Sequence, residues 1–65
     1  MNDRERLQNA LEHEEHALKL YRQYERETDN DRLAEMFEQF AQNESWHAAA
    51  IRAKLNDMQG ENGEQ

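Results

Sequence analysis

Glu44-Ser45-Trp46-His47 is an E-x-x-H run. On a helix that spacing sets a carboxylate and an imidazole on one face, one turn apart. Carboxylate oxygen together with neutral imidazole nitrogen is a ligand set that suits iron, manganese or zinc. Glu14 completes the candidate set. Positions 14 and 44 average to 29, so in an antiparallel hairpin bent at Asp29 both carboxylates stand at one height, about 22 Å from the bend. All three residues occupy positions where the surrounding pattern is apolar. A carboxylate there is costly unless it is paired, protonated or bound to a metal.

Taken alone the E-x-x-H match is weak. Eleven Glu and three His in 65 residues supply one by chance roughly half the time. A single histidine on an apolar stripe is also more often a hydrogen-bonded core residue than a ligand. Shared register, shared height and the ligand count given below favour the metal reading. His13 and His16 flank Glu14, with Glu12 four residues before His16, and form a softer candidate, an outer cation site. Solvated surface histidines are the commoner outcome of such a pattern. Tyr21, two turns after Glu14, reads either as a core ring or as a hydrogen-bond donor beside the site. Trp46 lies off the apolar stripe and reads as a subunit contact.

These residues must be positioned by helices. There is no Val, one Ile and no alternating apolar run, whereas Glu, Gln, Arg, Ala and Leu dominate. Asn2 with Glu5 three residues later is a capping box that opens a helix expected over 3–27. Its stripe reads Leu7, Ala10, Glu14, Ala17, Tyr21, Tyr24, Thr28, widened by Leu11 and Leu18. Thr28-Asp29-Asn30-Asp31 gathers turn and cap formers, so 28–31 is the turn. A second helix is expected over about 31–58, with the stripe Leu33, Phe37, Phe40, Glu44, His47, Ile51, Leu55, Met58, broadened by Met36, Ala41 and Ala48. Gly60 is expected to end it, leaving 60–65 as a disordered acidic tail. The fold class is all-α: residues 1–59 form an antiparallel two-helix hairpin.

The composition says what the hairpin is for. The chain has 65 residues, 15 acidic against 8 basic side chains, a net charge of −7 and no Cys. A negative chain is a poor partner for nucleic acid or an anionic membrane. Its longest uncharged stretch, Ser45 to Ile51, is too short to span a bilayer, and no basic-then-apolar leader opens it, so a cytoplasmic location is expected. Disulfides and thiolate metal sites are excluded. A hairpin this small cannot cover apolar stripes roughly 35–40 Å long, and pairing two hairpins into a four-helix bundle closes them.

That remedy also completes the metal site. Bundle di-iron and di-manganese centres use one Glu from each of two helices and Glu-x-x-His from each of the other two. One chain supplies half of this. A homodimer would bring four carboxylates to two divalent ions, and the charge sums to zero.

With Glu14 followed by Ala17 and Tyr21, a thirty-residue gap to Glu44, the run Glu44-x-x-His47-Ala48-Ala49 and the hinge Thr28-Asp29-Asn30-Asp31-Arg32-Leu33, the chain resembles the ferritin-like half-ferritins. It is most similar to the encapsulated ferritins, although rubrerythrins share its first elements. The likeness covers roughly residues 5 to 56. It implies Glu14, Glu44 and His47 as ligands of two Fe ions per dimer interface, with Mn or Zn as alternatives, and ferroxidase activity. It also implies a ring of dimers (a decamer) inside an encapsulin nanocompartment. Relatives of that type often carry acidic residues near positions 13 and 16 as an outer metal site, where this chain has His13 and His16. Two rival readings stand beside this one: a structural dimerisation module, and a metal-binding bundle without turnover.

Overall fold

The computed structural model describes residues 1–61, with side chains as far as Met58. Helix α1 spans Asp3–Glu27 and helix α2 spans Asp31–Glu61. They lie against each other as a two-helix hairpin, and no strand is present among the described residues. Among the described residues no helix is long and apolar enough to cross a membrane.

Both helices start on an asparagine cap. At α1 the Asn2 side chain accepts from the Glu5 amide at 2.8 Å, and the Glu5 carboxylate accepts from the Asn2 amide at 2.9 Å. Asp3 in the first turn holds Arg6 at 2.7 Å. At α2 the Asn30 Oδ1 accepts from the Leu33 amide at 3.0 Å, while the Asn30 amide donates to Thr28 Oγ1 at 3.1 Å. Each cap satisfies an amide that the first turn of a helix leaves without an intrahelical partner. The turn is thus held by short polar side chains acting on their own backbone.

At its far end α2 runs on through Gly60 to Glu61, so the helix does not stop where the glycine suggested. A helical glycine costs about 1 kcal/mol relative to alanine, which weakens a helix without forbidding it, and no proline follows to enforce a stop. Of the tail expected over 60–65, residues 60 and 61 are therefore helical, and 62–65 lie outside the described residues.

The line of contact between the helices is narrower than the apolar stripes. Among the described residues the only fully buried side chains are Ala41 and Ala48, and no large side chain is fully buried. Spaced seven apart, these small residues let the backbones approach. Ala34, Phe37, Glu44, Ile51 and Leu55 extend the same line as half-buried neighbours. Leu33, Phe40 and His47 from the expected stripe instead turn to one flank, joined there by Met36 and Tyr24. One partner helix can cover only a narrow strip of another, so the rest of a wide apolar face stays open.

Packing near the turn is aromatic. The Tyr21 ring meets Phe40 edge-on at 5.4 Å and stacks on Phe37 at 6.3 Å, and Tyr24 leans on Phe37 at 5.4 Å. On the opposite flank an ion pair between Arg52 and Glu15 ties α2 to α1. The whole is a rod of 52 × 18 × 12 Å with a radius of gyration of 15.1 Å, against about 11 Å for a compact domain of this length.

Candidate metal centre

Glu14 comes from the middle of α1, and Glu44 and His47 come from the middle of α2. Because the turn centres on Asp29, the antiparallel arms bring the three to one height. His47 Nδ1 lies 2.9 Å from Glu14 Oε1 and 2.9 Å from Glu44 Oε1. One ligating atom from each residue falls within 4.8 Å of the other two, and no other such group of three or more metal-ligating side chains occurs among the described residues. Glu14 and Glu44 thus stand at the common height that the hairpin spacing predicts.

The three differ in exposure. The Glu14 and Glu44 side chains are 23% and 18% exposed, while His47 is 60% exposed and faces the open flank. Neither carboxylate has a Lys or Arg partner among the described residues; nearby Glu15 takes Arg52, and Arg22 takes Glu25. Two half-buried carboxylates therefore share one imidazole as their sole ion-pairing partner among the described residues. Hydrogen bonding to Glu14 and then to Glu44 raises the His47 pKa above the ordinary 6.5, and partial desolvation opposes the rise.

A single Nδ1 carries at most one proton, yet two carboxylate oxygens stand equally close to it. A cation satisfies all three atoms at once. Both His47 contacts are at hydrogen-bond length, 2.9 Å, and the three ligating atoms lie within 4.8 Å of one another, close enough to converge on one ion. The donor set is one nitrogen and two carboxylates, so the residues present fit a borderline or hard divalent ion.

A cavity of about 220 Å³ adjoins the group, lined by Tyr21, Phe40, Asn43, Glu44 and His47. Tyr21 is thus beside the site, and among the described residues its contacts are ring contacts rather than a hydrogen bond to the three ligand candidates. Asn43 was not anticipated. Its signal was available: it sits four residues before His47, on the same face of α2, and is a polar residue next to an apolar stripe. His13, His16 and Glu12 are exposed on α1 and are not gathered into a group with metal-ligand spacing. Trp46 is 60% exposed.

Among family models, the one described as Rubrerythrin matches residues 5–65. No curated protein and no solved structure matches.

Proposed function

The chain belongs to the rubrerythrin family, and from that premise we propose that it is a ferroxidase of the encapsulated-ferritin type, acting at a site shared by two copies of the chain. Membership carries the coarser reading, a di-iron, ferritin-like function. The observation that carries the finer one is the half-built ligand set. Glu14, Glu44 and His47 converge at one height on the flank that the hairpin leaves open. Three ligands suit one ion; six from a homodimer suit two, with four carboxylates balancing the charge.

Iron is the substrate in this reading. Two Fe(II) give up one electron each, and dioxygen takes both electrons with two protons to leave as hydrogen peroxide. Glu14 and Glu44 supply oxygen ligands that tolerate either oxidation state, and His47 supplies a nitrogen once its Nδ1 is free of a proton. Among its described residues the rod encloses no storage cavity, so ferric product must collect elsewhere, and a ring of dimers inside an encapsulin-type shell would give it a place.

The test is anaerobic Fe(II) titration followed by air, read as ferric absorbance. Glu44→Ala and His47→Ala should each abolish rapid oxidation while leaving the helical circular dichroism in place. Oxidation at the parent rate in either variant overturns the assignment. One observation favours a rival: His47 Nδ1 stands at hydrogen-bond distance from both carboxylates, as it would in a purely structural polar layer. That reading predicts no thermal response to Fe(II), and a non-catalytic metal site predicts a response without oxidation.

A further inference from the structure

The flank of α1 turned away from the open apolar face carries a second feature. Leu18, Lys19, Arg22, Gln23 and Arg26 of α1 and Ser45 of α2 line an open cleft of about 520 Å³. Lys19, Arg22 and Arg26 follow at steps of three and four, so they stand in one row along the helix. No carboxylate lines this cleft, although the chain holds 15 acidic side chains against 8 basic ones. Lys19 and Arg26 have no ion-pair partner among the described residues. Arg22 reaches Glu25 only at 3.3 Å, beyond the roughly 2.7–2.9 Å of a close charge-assisted bond. Arg26, in the last turn of α1, is accounted for by the helix dipole and Arg22 by its pairing with Glu25, but Lys19 by neither.

We propose that this cleft binds a phosphate dianion, free or as the head of a small phosphate ester. Every polar side chain lining it can donate a hydrogen bond: two guanidinium forks, an ammonium, an amide and a hydroxyl, with Arg22 and the Gln23 amide also donating to Glu25 and Glu27 outside the cleft. Guanidinium forks match the paired oxygens of phosphate, and the loose Arg22–Glu25 contact is one a dianion displaces. The volume exceeds that of bare phosphate and leaves room for an ester's organic part over Leu18. Tyr24 lies two residues from Arg22, about 200° round the helix. A second chain seated on the Tyr24 flank therefore leaves the cleft open, and the two faces can act together.

The experiment titrates the full, metal-free chain with inorganic phosphate and separately with glycerol phosphate, following backbone amide shifts by NMR. Saturable shifts confined to residues 18–26 and 45 are expected. Lys19→Gln and Arg22→Gln should each weaken binding by roughly tenfold, and Arg32→Gln, outside the cleft, should leave it unchanged. Tighter binding of the ester identifies an ester ligand, and equal or weaker binding identifies free phosphate. Shifts that grow linearly, or that spread equally to Arg4, Arg32 and Lys54, overturn the proposal. So does an unchanged affinity in the Lys19→Gln, Arg22→Gln double variant, or a cleft that answers only to polyglutamate while both phosphates are inert.

Discussion

His47 carries two tasks that compete for one atom. Its Nδ1 stands 2.9 Å from both Glu14 and Glu44, and hydrogen bonding to them raises its pKa above 6.5; as a ligand the same nitrogen must be bare. The sign of the pH dependence follows. A raised folded-state value means that the stabilising contact is fully present below about 6.5, the unfolded value, and is lost as pH rises through the folded value. Metal affinity runs the opposite way and falls as pH drops through that same raised value. An NMR titration of the metal-free chain should therefore place the His47 midpoint above 6.5. Glu14→Gln should bring it back further than Glu44→Gln, because the Glu14 contact is the larger cause. A His47 midpoint at or below 6.5 in the parent chain would mean that the imidazole is not held by the carboxylates in solution.

At the scale of the helices, the caps and the bend were legible because they are local. Asn2 with Glu5, and Asn30 after Thr28, act on backbone amides within three residues, and that chemistry is written in adjacent letters. The common height of Glu14 and Glu44 followed from the bend by arithmetic. Which edge of a wide apolar stripe meets the partner helix was not legible. Phe40, Ala41, His47 and Ala48 all fit the stripe, and hydrophobicity alone ranks Phe40 first. Close approach ranks them otherwise, since two alanines seven residues apart admit a neighbouring backbone where phenylalanine holds it off. Asn43 was missed for a related reason, because a cavity wall exists only once that edge has been chosen. Ala41→Leu tests the point. An overpacked contact costs about 1–3 kcal/mol, and the helices must part near Glu14 and Glu44. Urea unfolding should show that loss, and Zn(II) affinity should fall with it. Unchanged stability and unchanged affinity would show that Ala41 does not set the spacing.

For the whole molecule the difficulty is electrostatic as much as hydrophobic. A rod with two alanines as the only fully buried side chains among its described residues, and with Leu33, Met36 and Phe40 exposed, gains by covering that flank with a second chain. The same act brings two chains of net charge −7 together and places four half-buried carboxylates side by side. Apolar burial favours the proposed homodimer and charge opposes it, so the metal-free pair should be weak and salt-sensitive. Raising ionic strength from about 0.01 to 1 M shortens the screening length from roughly 30 to 3 Å, which relieves repulsion between the surfaces while leaving the enclosed carboxylates largely unscreened. Stoichiometric Zn(II), a redox-silent substitute for iron, neutralises those carboxylates directly. Sedimentation equilibrium should accordingly show metal-free association strengthening with salt, and strengthening further with two Zn(II) per dimer. Glu44→Gln separates the two contributions, since it removes two of the four charges and one ligand from each half-site. That variant should associate more tightly than the parent without metal and respond little to Zn(II). A Zn(II) response equal to the parent's in Glu44→Gln would place the ion elsewhere, and association indifferent to salt, metal and this substitution alike would mean that the open flank is not where two chains meet.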